Sequence, residues 1–236
     1  GLFGSLVNWQ RIARNLSATQ HVIVPDLRNH GRSPHDQDVS YQAMAGDILR
    51  LLDDLKLPDA VMTGHSMGGK LAMWLALTAS ERVAQLISVD IAPVAYQSNF
   101  NHMLQALVGM PLEQITSRKE ADAWLTPAIP IKAVRDYLLQ NLQHTELGWR
   151  WRNNLAALHR GIEQISGFPP TPPGTRYTGS SLFIYGSASD YVLAEYQPGI
   201  LELFPATELK PVAGAGHWVY AERPDEFLQL INSRLT

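Results

Sequence analysis

Apolar positions along the chain fall into two alternating rhythms. Residues 21–24 (HVIV), 60–63 (AVMT), 83–89 (VAQLISV), 181–185 (SLFIY) and 208–212 are short β-rich runs. Between them lie segments with helical spacing. In 41–57, Met44, Ile48, Leu51, Leu52 and Leu55 share one face, and Pro58 and Asp59 end the run. In 68–80, the apolar positions are Leu71, Trp74, Leu75 and Leu77. Residues 193–204 and 224–235 complete the helical set. Strand and helix alternating through short connections predict a parallel sheet covered on both faces.

One stretch breaks the rhythm. Residues 93–178 hold no strong strand run. Ser117 and Glu120 (SRKE) read as a capping box for a helix through Leu125. Residues 131–142 and 154–165 read as further helices, and FPPTPPG (168–174) leads back to the sheet. The expected organisation is therefore a core of 1–92 and 179–236 with a helical lid at 93–178. That lid leaves the sheet at the carboxyl end of a strand, where open α/β sheets bind ligands.

Composition narrows the field. The chain has 236 residues, 45% of them hydrophobic and 17% charged, which fits one α/β domain with an insertion. No apolar run approaches the roughly 18 residues of a membrane span. Cysteine is absent, so disulfides and thiol chemistry are excluded. The net charge of −3, without a long basic cluster, argues against a nucleic-acid partner. A cytoplasmic monomer or small homo-oligomer is the default expectation.

The chemistry concentrates at 63–70, TGHSMGGK. GHSMG is a Gly-x-Ser-x-Gly pattern that follows a strand and opens a helix, the context of a nucleophile elbow. The turn strains the serine backbone, and Gly64 and Gly68 are expected to leave room for close neighbours. Ser66 Oγ would then project at the top of the sheet. The N–H of Met67 would face an oxyanion at the helix start. A base is supplied by His217 in AGAGHWVYAERP, between the last strand and the last helix. His30, His65, His102, His144 and His159 have weaker claims; His65 is expected to aim away from the pocket. Two carboxylates suit the acid. Asp90 ends VAQLISVD, and Asp190 lies in YGSASDYV. Both give the order Ser, Asp, His.

Together these strings resemble the α/β-hydrolase superfamily, and within it the small esterases of the YbfF type and their mitochondrial relatives. The matching stretches are GLFGS at 1–5, DLRNHGRSP at 26–34, GHSMGGK at 64–70, VDIAPV at 89–94 and GAGHWVYAERP at 214–224. The resemblance implies the fold and an ester hydrolase that needs no metal or cofactor. It implies the N–H of Leu2 as a second oxyanion donor beside that of Met67. Many relatives carry the acid in G-x-x-D after the later strand. Here Gly186 plus three is Ser189, and Asp190 falls one position late. The YbfF type places its acid in the V/I-D-I-A-P string, which implies Asp90, with Asp190 as the substitute. The resemblance also implies an inner strand that ends at Gly1, between the 21–24 and 60–63 runs, and with it roughly 20 to 30 further residues upstream.

The expected reaction is two-step acyl transfer from a small acyl ester or acyl-CoA thioester. Arg150, Arg152 and Arg160 are candidates for the phosphates of a CoA, and Trp124, Trp149 and Trp151 for an acyl pocket. Rival readings are a carbon–carbon bond hydrolase or lyase, a cofactor-free haloperoxidase, and a non-catalytic ligand receptor on the same fold.

Overall fold

The computed structural model describes residues 1–97 and 100–235. Ser98, Asn99 and Thr236, which fall inside the expected lid and core ranges, lie outside the described residues. Four parallel strands form the main sheet: β1 (Ala60–His65), β2 (Val83–Val89), β5 (Ser181–Gly186) and β6 (Thr207–Val212), in the order β1-β2-β5-β6. β2 is buried at six of its seven positions. A strand covered on both faces reads as a continuous apolar run rather than an alternation, as VAQLISV does.

Helices cover both faces. α2 (Tyr41–Asp54) packs on α3 (Met67–Thr78), with Met44, Ala45 and Leu52 buried. Ser40 caps α2 by accepting the N–H of Ala43. α3 follows β1 directly and is buried on most of its circumference, from Met67 through Ala76. On the opposite face, α11 (Pro224–Asn232) and α1 (Gln10–Leu16) enclose a second cluster built on Ile87, Val89, Leu182, Ile184 and Phe227. A ten-residue loop after β5 leads to α9 (Gln197–Leu203), and α10 (Val219–Glu222) follows β6.

Residues 21–24 form no strand. They line, together with Met62 of β1, a cavity of about 460 Å³ and make no ladder across it. β-Propensity alone does not make a strand without a hydrogen-bonded neighbour.

Between β2 and β5 the chain makes an insertion. It contains α4 (Phe100–Val108), α5 (Arg118–Leu125), α6 (Lys132–Leu139), α7 (Leu155–Arg160) and α8 (Ile162–Ser166). The expected absence of strands here is corrected by an antiparallel hairpin, β3 (Leu142–Thr145) with β4 (Gly148–Trp151). Its reversal falls at Glu146 and Leu147, and Gly148 takes a φ of 101°. The helix expected over 154–165 is two helices that meet at Gly161. A Cβ there would lie 2.0 Å from Val39 Cγ2, so the close approach of α2's leading loop requires glycine. At α5, Ser117 Oγ accepts from the N–H of Glu120 as expected, while the Glu120 carboxylate takes the N–H and hydroxyl of Thr116.

Candidate active site

Three non-glycine residues with positive φ mark one region: Phe3 at 63°, Ser66 at 53° and Asp90 at 50°. Strained backbone of this kind is kept where the surroundings over-determine it, often at functional sites. Ser66 is the turn between β1 and α3, half-exposed, and its ψ of −121° is far from helical. Gly64 is what allows the turn, since a Cβ there would sit 2.0 Å from Gly68 O. The same role does not hold for Gly68, where a Cβ would meet open space. The crowded partner is Gly69, whose Cβ would lie 2.5 Å from Ile91 Cγ2.

Asp90 leaves the end of β2, and its side chain is fully buried. Its Oδ1 accepts the N–H of Gly186 at 2.9 Å. Its Oδ2 accepts from Ser189 Oγ at 2.5 Å and lies 2.7 Å from Nδ1 of His217. With a carboxylate as acceptor, Nδ1 is the protonated nitrogen, and Nε2 is left as the free base. Asp190 is exposed and makes no hydrogen bond to the His217 ring. Ser189, at the Gly-plus-three position, points its hydroxyl into the site in its place.

The His217 ring is held on two sides. Tyr191 stacks on it with centroids 4.0 Å apart and planes at 23°. His65 lies at 4.5 Å on a tilted plane and donates from Nε2 to the main-chain oxygen of His217 at 2.8 Å. The buried His65 ring thus braces the His217 loop from inside the turn at Ser66. Ser66 follows His65 directly, and no Ser66 Oγ–His217 hydrogen bond forms among the described residues. Such contacts are often long before substrate arrives.

The turn that carries Leu2, expected as an oxyanion donor, is held by the first residues and by the insertion. The N–H groups of Leu2 and Met67 donate to no acceptor among the described residues. The turn at 1–4 closes through Gly4 N–H to Gly1 O at 2.9 Å. Tyr137 of α6 donates its hydroxyl to Leu2 O at 2.9 Å, and Asn141 donates its amide to Phe3 O at 2.7 Å. Asp26 accepts the N–H of Leu6 at 2.7 Å and that of Arg32 at 2.8 Å, so DLRNHGRSP is the buttress of this turn. Nothing in the sequence singles out Tyr137 or Asn141, because their partners are main-chain atoms more than 130 residues away.

The tryptophans of the insertion serve its own packing. Trp124 Nε1 donates to Ala106 O, Trp151 Nε1 to Leu107 O, and Trp149 lies edge-on to His144. Arg150 and Arg152 line a second cavity of about 440 Å³ with Arg32 and His35, whereas Arg160 bonds Gln37 elsewhere. Among the described residues no cluster of three His, Asp or Glu side chains could hold a metal.

Two buried histidines shape the acid limb of stability. Burial holds the His30 pKa at about 4, and burial, then the neighbouring His217, keeps His65 well below the ordinary value. Both folded-state values lie below the unfolded one, so the unfolded chain takes up protons first as pH falls past about 6.5. The stability they contribute is complete above that pH and is lost toward pH 4, by ~3 kcal/mol for His30 alone. Urea midpoints should therefore drop between pH 7.5 and 5, and His30→Asn should flatten the drop. A pH-independent midpoint would contradict this.

Known proteins share this fold. A sequence profile of the alpha/beta hydrolase fold matches residues 1–224; the chain belongs to that family. It is 38% identical to the sn-1-specific diacylglycerol lipase ABHD11 of Xenopus laevis, over 98% of this chain and 76% of that protein. It is 36% identical to esterase YbfF of Escherichia coli K12, over 100% of this chain and 90% of that one. The solved structure of a marine microorganism esterase superposes with a TM-score of 0.95 at 34% identity, covering 99% of this chain and 92% of the other. No described helix is long and apolar enough to cross a membrane.

Proposed function

We propose that this carboxylic ester hydrolase works through a Ser66–His217–Asp90 triad on small acyl esters. The observation that carries the reading is the 2.7 Å contact of Asp90 Oδ2 with His217 Nδ1, made by a fully buried carboxylate one strand from the elbow. Nε2 of His217 takes the proton as Ser66 Oγ attacks the ester carbonyl. The N–H groups of Leu2 and Met67 receive the oxyanion. Collapse breaks the C–O bond, and Nε2–H gives its proton to the departing alcohol. Water then attacks the acyl-enzyme with the same base and releases the acid. The insertion closes over the site as a lid, and through Tyr137 and Asn141 it steadies the oxyanion turn.

A graded series of p-nitrophenyl esters tests the reading. Short acyl chains should turn over with release of one acid per phenolate. Absence of hydrolysis across the series would overturn it in favour of carbon–carbon cleavage, halide oxidation or ligand reception on the same fold. The three arginines around the 440 Å³ cavity favour a second reading, that CoA thioesters are also substrates. In that case an acyl-CoA should show a KM about tenfold or more below that of the matching N-acetylcysteamine thioester, and the gap should shrink with added salt. Equal KM values would remove the CoA reading.

A further inference from the structure

Lys70 lies on α3, one turn beyond Ser66, and its side chain is 1% exposed. A buried ammonium usually faces a carboxylate. Here Nζ donates instead to the main-chain oxygens of Ser166 at 2.6 Å and Gly167 at 2.7 Å, and it sits 4.7 Å from the centre of the Tyr96 ring. Those partners belong to the two ends of the insertion. Tyr96 is on the segment that enters it, and Ser166 and Gly167 are where α8 ends and the chain leaves. The two ends also bond directly, through Tyr96 N–H to Ser166 O at 3.0 Å.

From Tyr96 the contacts continue to the base. Its hydroxyl accepts the N–H of Ala92 at 2.8 Å and donates to Tyr191 O at 2.5 Å. Tyr191 is the residue whose ring lies flat on His217. Burial without a counter-charge lowers the Lys70 pKa to about 7, a cost that an apolar side chain of the same length would not carry. What the amine adds over such a side chain is its grip on two carbonyls and an aromatic face at once.

We propose that Lys70 is a positioning residue for ester hydrolysis: it pins both ends of the insertion to the elbow helix and, through Tyr96 and Tyr191, fixes the seat of the His217 ring. This rests on His217 being the base. Lys70→Met keeps the length and loses the donors. Tyr96→Phe keeps the ring and loses the hydroxyl. With p-nitrophenyl acetate, each should lower kcat by about 10- to 100-fold, the range expected for a base displaced by about 1 Å. KM should move by less than about threefold. The double variant should be no worse than the worse single, since both act on one path.

A role in stability alone would lower the melting temperature and leave kcat of the folded enzyme unchanged. Hydrogen exchange gives a reading that does not need catalysis: the amides of Ala92 and Tyr96 should exchange faster in Lys70→Met. If Lys70→Met does not fold, Tyr96→Phe carries the test alone. A kcat within twofold of wild type in Tyr96→Phe, or additive losses in the double variant, overturns the proposal. If these variants are unimpaired while Ser66→Ala is dead, only the Lys70 inference fails. If Ser66→Ala is active, the proposed function fails, and the exchange rates still report whether Lys70 pins the insertion.

Discussion

Ser66→Ala should lower kcat for a simple ester by about 10⁴ to 10⁶ while the protein stays folded, the scale seen when a triad serine is removed. The side chain is half-exposed at the turn, and its Oγ donates to no acceptor among the described residues. Its deletion thus leaves no buried group unpaired, and the loss is chemical rather than structural. His217→Ala should fall by a similar factor. The two together should be little worse than either, because each is useless without the other. Stopped-flow or fixed-time hydrolysis of p-nitrophenyl acetate with circular dichroism on the same samples checks both halves. A variant with a tenth of the wild-type rate would exclude Ser66 as the nucleophile.

The second large effect separates two aspartates. Asp90→Asn should lose at least about a hundredfold in kcat, toward the roughly 10⁴ of the worked protease case. An amide in this place can present its NH₂ to Nδ1, which then holds the wrong tautomer and leaves Nε2 protonated. Asp190→Asn should change kcat by less than about tenfold, since the residue is exposed and makes no hydrogen bond to the ring. Ser189 offers a stricter version. Its Oγ is 2.5 Å from Asp90 Oδ2 and stands where many relatives carry the acid. Asp90→Asn combined with Ser189→Asp should recover part of the lost rate. A severe loss in Asp190→Asn with a mild one in Asp90→Asn would move the acid to the later strand.

Much of the frame is legible from local pattern. The β2 run matches its strand residue for residue, and the elbow is readable because strand, Gly-x-Ser-x-Gly and helix are contiguous. His217 is readable from its glycine-rich loop after the last strand. Other parts depend on contacts far apart in sequence. The HVIV run has strand composition and makes no ladder among the described residues, so its local pattern by itself does not give a strand. The β3–β4 hairpin is missed because LQHT and GWRW pair with each other on a surface, with weak alternation. α1 buries Ile12 alone, too little to leave a periodic signature. Residues 1–97 alone give no hint that Lys70 would bond carbonyls almost 100 residues later. Tyr191 and His65 escape for the opposite reason. Each sits beside a recognised motif, and only the fold shows which ring faces His217.

The most direct test of the account is where an acyl-enzyme mimic forms. The protein is treated with an alkyl fluorophosphonate, its intact mass is read, and the modified peptide is sequenced by tandem mass spectrometry. The account predicts one adduct per chain, on Ser66 within the 64–70 peptide, formed in step with loss of esterase activity and absent from Ser66→Ala and His217→Ala. An adduct on another residue, or full activity with Ser66 modified, would contradict it.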